Sequence, residues 1–134
     1  MTSPEEADMT DERHVRATWR IGDLRVRRAD GREDGEDWTE NYEHLPGGAG
    51  VSLILESTTR EGQGPRLHLH PYAETFLIRR GSATFTLGDE TVIGRAGQVL
   101  VAPARMPHTF RTGPDGYEAV HIHPAEAIET EWLA

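Results

Sequence analysis

The sequence predicts an all-β sandwich or barrel. From residue 50 onward, short apolar runs recur every eight to twelve residues, separated by clusters of Gly, Pro and Asp. No segment carries a 3.6-residue apolar stripe that lasts three turns. The 14 glycines and eight prolines among 134 residues are more turn-formers than a helical bundle carries. A chain of this length buries a real core as one domain and needs no staple to fold.

Taken in order, residues 1–14 read as a flexible tail, because they hold almost no apolar content to repay ordering. Residues 15–134 are then the folded domain. Trp19–Arg28 alternates loosely through Ile21, Leu24 and Val26 and reads as an early strand, and Asp30–Asp37 as a polar loop. Strands are predicted at Val51–Glu56, Arg66–His70, Thr75–Arg79, Ala83–Leu87, Thr91–Ile93, Gln98–Ala102, His108–Arg111 and Glu118–His123. Between them, GQGP, HP, RRGS, LGDE, GRAG, PARMP and TGPDG are turn signals. Leu67, Leu69, Leu77, Val99 and Val101 are expected among the apolar layers. No internal repeat or linker divides the chain.

The net charge of −9 is concentrated in short segments. Residues 1–13 carry −4, residues 14–29 carry +4, residues 30–43 carry −6, and the remainder only −3. So acidic a chain is a poor partner for nucleic acid or an anionic membrane. It has no apolar stretch of membrane-spanning length, and its acidic start does not read as a secretory signal. A cytoplasmic protein is expected. The absence of cysteine removes disulfides, thiolate metal sites and cysteine nucleophiles. All 14 basic residues are arginine, which removes Schiff-base chemistry and lysine-containing phosphate loops.

Five of the seven histidines lie beyond residue 67. His68 and His70 are two apart, so strand periodicity sets both imidazoles on one face, with Leu67 and Leu69 on the other. Pro71 ends that strand, and Glu74 opens the next after a three-residue turn, where its carboxylate can swing back towards both rings. His108 follows Pro107 at the start of another strand. Three imidazoles and a carboxylate form a good site for a borderline divalent metal. If Glu74 points inward, so do Phe76 and Ile78, while His108 and Phe110 share a face; Phe76, Ile78 and Phe110 are pocket-wall or barrel-core candidates. Arg66, on the face of His68, is a candidate to meet a substrate carboxylate. His121 and His123 form a second His-x-His pair, read as a partner of a ligand or as an acid–base group rather than as a second metal site.

Gly62, five residues, His68-x-His70, three residues, Glu74, six residues and Gly81 match every defining position of the first signature motif of the cupin superfamily. Gly97, Pro103 and His108 match its second motif, whereas Arg105 stands where the family usually has Gly and Thr112 where it usually has Asn. The chain therefore resembles small single-domain cupins from about residue 50 to its end, with the core motifs at 62–112. That resemblance implies an antiparallel jelly-roll β-barrel. It also implies one divalent ion (Fe, Mn, Ni, Zn or Cu) held by His68, His70, Glu74 and His108, with two coordination positions open.

The function expected is a metalloenzyme, with dioxygenase- or isomerase/lyase-type chemistry on a small organic molecule that chelates the metal. The alternative is a non-catalytic barrel that senses a small ligand; residues 1–50 hold no helical segment of the kind a DNA-binding regulator attaches. A homodimer is expected, with the terminal Ile128–Leu133 segment covering an open sheet edge.

Overall fold

A computed structural model of the chain describes residue 24 and residues 37–134. The expected tail at 1–14 and strand at Trp19–Arg28 lie outside the described residues, apart from Leu24. Eight strands follow: β1 (Trp38–Tyr42), β2 (Ser52–Thr58), β3 (His68–Leu69), β4 (Glu74–Leu87), β5 (Glu90–Arg95), β6 (Val99–Ala102), β7 (His108–His123) and β8 (Glu131–Trp132). All pairings are antiparallel and join one curled sheet, β1-β2-β7-β3-β8, with β4 joined to β5, β6 and β7. This is a jelly-roll architecture, as expected. Among the described residues, no helix is long and apolar enough to cross a membrane.

Two predicted turns are not turns. RRGS and TGPDG were expected to separate four strands, yet they run through the middle of β4 and β7. The register shifts between Ile78 and Arg80, and again between Gly81 and Ala83. Gly81 (φ +72°) and Gly116 (φ +80°) meet there, and a Cβ on Gly81 would lie 2.0 Å from the Gly116 carbonyl oxygen. Glycine is needed for backbone approach at a bend, and the two long strands curl around the barrel instead of breaking.

The inward face of β4 and β7 carries the core: Phe76, Ile78, Phe85, Phe110, Tyr117 and Ala119 are all buried. The Phe76 and Phe85 rings meet edge to face, with centroids 4.9 Å apart. Each such side chain contributes roughly 1.5–3 kcal/mol through burial. Val99 and Val101 do not belong to this core; they are 61% and 50% exposed. They pair with Leu77 and Thr75, which alternate with inward Phe76, so their side chains share the outer face. Ala102 is the buried residue of β6, and Leu100 packs against the core.

Candidate metal centre

The short β3 pairs with the start of β7, so that His68 lies directly opposite His108. His70 follows just outside β3, and Glu74 is the first residue of β4. All four side chains are buried, and one donor atom from each lies within 4.8 Å of the others. Sequence spacing therefore brings together the four residues it singled out.

Each imidazole is held by a main-chain carbonyl. Nδ1–H of His68 donates to Arg66 (2.7 Å), that of His70 to Glu129 (2.7 Å), and that of His108 to Met106 (2.9 Å). These bonds set the tautomer and leave the Nε2 lone pairs for the site. His70 Nε2 and His108 Nε2 lie 3.0 and 3.1 Å from Glu74 Oε1. His70 Nε2 is buried without a hydrogen bond. With Nδ1 donating, the Nε2 atoms face a carboxylate oxygen, an arrangement that needs a proton or a metal ion between them. Donors 2.0–2.2 Å from one ion and at right angles are about 3 Å apart, as His70 Nε2 and His108 Nε2 are from Glu74 Oε1. The cluster fits a divalent metal ion.

Glu74 is the centre of charge. Burial alone would raise its carboxyl, but the His108, His123 and His70 imidazoles outweigh it and hold the group well below the usual carboxylate range. Burial lowers His68. It also opposes protonation of His70, but Glu74 and the Glu129 carbonyl raise that imidazole.

His121 and His123 turn inward from β7 beside the same carboxylate, with His121 Nδ1 and His123 Nε2 at 3.7 and 3.2 Å from Glu74 Oε2. Each is backed by a tyrosine. Tyr72 Oη lies 2.8 Å from His123 Nδ1 and accepts from the Glu129 amide, while Tyr117 Oη lies 2.9 Å from His121 Nε2. Burial drives the His121 imidazole down to about 4 and the Tyr117 hydroxyl above the ordinary tyrosine range. His121 is therefore neutral at pH 7 and shares a hydrogen bond with the Tyr117 hydroxyl.

The cluster lines a cavity of about 380 Å³, together with Phe76, Phe110, His121, His123 and Glu56. Exposed Thr39, Glu43 and Trp132 also line it, so the cavity opens to solvent. Two site expectations need correction. Ile78 is core and does not line the cavity, because it lies farther along β4 beneath Phe85 and Leu100. Arg66 does not line it either; its guanidinium sits 4.7 Å over the Trp132 ring at the mouth. Phe76 and Phe110 serve both roles, belonging to the core and facing the cavity.

Sequence reasoning missed Tyr72, Tyr117 and Glu56. Tyr117 shares the parity of His121 and His123 and so was readable as inward. Glu56 is two residues from Ile54 on an apolar strand, a carboxylate on the face expected to be buried. Tyr72 sits in the turn after His70, where no periodicity points a side chain.

The departures from the family motifs are absorbed locally. Arg105 adopts the left-handed conformation itself (φ 65°), and its amide donates to the His70 carbonyl. Thr112 Oγ1 donates to the Arg60 carbonyl and accepts from the Gln63 amide, tying down the loop before β3.

A metal-ligand cluster on an antiparallel jelly roll defines a metal-binding β-barrel. A family model of the cupin domain matches residues 55–122, and the chain belongs to that family. Among solved structures it is similar to oxalate decarboxylase from Bacillus subtilis at pH 4.6, with 21% identity and a TM-score of 0.63 over 76% of this chain and 29% of that one. A study of the Mn(II) centres of that decarboxylase gives the same figures. A structure addressing the substrate binding mode and reaction-specificity switch of oxalate decarboxylase aligns at 22% identity and TM-score 0.63, again over 76% and 29%. The chain thus spans under a third of the length of these neighbours, and the likeness speaks to the fold. Curated protein sequences gave no significant match.

Proposed function

We propose that this cupin is a metalloenzyme acting on a small organic molecule that chelates a divalent ion through open coordination positions. One observation carries the reading: the donors of His68, His70, Glu74 and His108 converge on the lining of a cavity open to solvent. A purely structural site is closed by its ligands, whereas a catalytic one keeps a side free. A bound divalent ion supplies Lewis-acid polarisation of a chelating carbonyl or enol, or, as iron, the activation of dioxygen. The chain's residues supply the rest. Phe76 and Phe110 keep water from the inner wall, and the Tyr72–His123 and Tyr117–His121 pairs offer positioned proton carriers beside Glu74.

The proposal includes a homodimer in the cytoplasm. Its support is the outer sheet face, where Leu53, Leu77, Val99, Val101, Val120 and Ile122 form adjoining half-buried or exposed apolar rows. The acidic, cysteine-free composition suits the cytoplasm.

The test is metal analysis of protein purified without an affinity tag or chelator, followed by turnover assays of the loaded protein. About one divalent ion per chain, lost in His68→Ala, is the expected result. Iron directs the assays to oxygenase chemistry, and zinc or nickel to isomerase or lyase chemistry. Metal with tight ligand binding and no turnover would leave a sensor barrel instead. Protein that takes up no divalent metal overturns the reading.

A further inference from the structure

The cavity is acidic in a way that the metal alone does not balance. Glu74 is spent on the metal cluster. Among the described residues two further carboxylates line the space, Glu56 on the inward face of β2 and Glu43 at the mouth. Among the described residues no arginine lines it, and Arg66, at the mouth, is laid across Trp132. Glu56 pairs in register with Ala119, two residues from His121, and so stands one step along the wall from the metal cluster. No cation among the described residues offsets its charge; burial, and then Glu74, push its carboxyl up to about 7.

The charges can be counted. A divalent ion with Glu74 leaves one positive charge, and an ionised Glu56 cancels it. A dianion entering that site would be left with its charges unbalanced in a half-buried space, at a cost that unpaired buried charges always carry. A ligand whose ammonium group offsets its own anionic chelating oxygen adds no net charge and keeps the site neutral. The same carboxylate that repels the anion would accept a charge-assisted hydrogen bond from an ammonium group.

Resting on the metalloenzyme reading above, we propose that the cavity selects a small molecule bearing an ammonium group beside its metal-chelating oxygen atoms, and that Glu56 is the residue that pairs this charge. The structural neighbours are named for oxalate, a dianion; this cavity is built against such a ligand. Specificity here combines an attractive element for the amine with a repulsive one for the anion.

The test titrates manganese-loaded protein with three chelators by calorimetry. They are glycine hydroxamate, which carries an ammonium group, its near-isosteric neutral analogue propionohydroxamate, and oxalate. β-Alanine hydroxamate is added as a fourth chelator, so that the reach to Glu56 is spanned. The better ammonium ligand is expected to bind about tenfold or more tighter than the neutral one, with oxalate weaker than both. In Glu56→Gln the ammonium preference should vanish, while metal content and propionohydroxamate affinity stay unchanged. An equal affinity for ammonium and neutral ligands, tighter binding of oxalate, or a preference that survives Glu56→Gln overturns the proposal alone. If metal binds but no chelator does, the open-site reading fails, and the proposal with it.

Discussion

His123 Nε2 lies 3.2 Å from Glu74 Oε2, on the side of the carboxylate opposite the oxygen that faces His70 and His108. With Tyr72 hydrogen-bonded to its Nδ1, His123 presents its Nε2 side to the carboxylate and leaves Oε1 towards the other imidazoles. Groups that orient metal ligands in this way are commonly worth 10–100-fold in metal affinity. His123→Gln should therefore weaken manganese binding by about that range, and Tyr72→Phe by less, in calorimetric titrations. Unchanged affinity in both variants would show that Glu74 needs no such support.

The ladder and the core hold the fold without an ion. His68→Ala should abolish most metal binding but leave a folded barrel. Binding to the native state alone adds roughly 3–4 kcal/mol at 100 to 1,000 times Kd, so wild type should melt higher with metal than with chelator. His68→Ala should melt alike in both. Unfolding of wild type by chelator at 25 °C would make the site structural, against the enzyme reading.

Metal affinity should fall as pH drops. Protons compete for the Nε2 atoms, and His70, raised above the ordinary imidazole value by Glu74 and the Glu129 carbonyl, is protonated before His68, which burial lowers. The loss should begin above about pH 6.5, where the raised His70 starts to protonate, and steepen below about pH 6. A flat binding profile from pH 8 to 5.5 would contradict it.

Glu56 has the opposite consequence for stability. Its carboxyl is pushed up to about 7 in the folded chain from the 4.5 of a free glutamate, so the folded state holds the extra proton between those limits. Stability then declines as pH rises through that window. In metal-free protein, Glu56→Gln should raise stability at pH 8 by about 1–3 kcal/mol, and change little at pH 4. Urea melts at the two pH values read this directly; an equal effect at both would exclude a raised carboxyl.

Arg105 is a side chain in a glycine conformation (φ 65°). Arg105→Gly should stabilise by about 0.5–1 kcal/mol, the left-handed strain exceeding the added chain entropy. Gly81→Ala should cost several times more, since its Cβ would meet the Gly116 carbonyl. Thermal melts of the two variants should move in opposite directions.

Three of the four ligands were legible because their geometry is local, and His108 was legible from its place in the second motif although only the pairing of β3 with β7 brings it opposite His68. His68 and His70 are set by the period of two, Glu74 by a three-residue turn, and His108 opens a strand after Pro107. Inward Phe76 and the buried Phe110 follow from the same parity. Only the tertiary structure decided the rest. That RRGS and TGPDG bend strands rather than end them depends on Gly81 meeting Gly116 across the ladder, a pairing of segments far apart in the chain. That Val99 and Val101 face outward follows from the register of β6 against Leu77 and Thr75. The convergence of His121 and His123 on one oxygen of Glu74, and their tyrosine partners, come from β7 lying beside β4 and from the turn that carries Tyr72. Local periodicity sets which face a side chain takes; only strand order and register set what it faces.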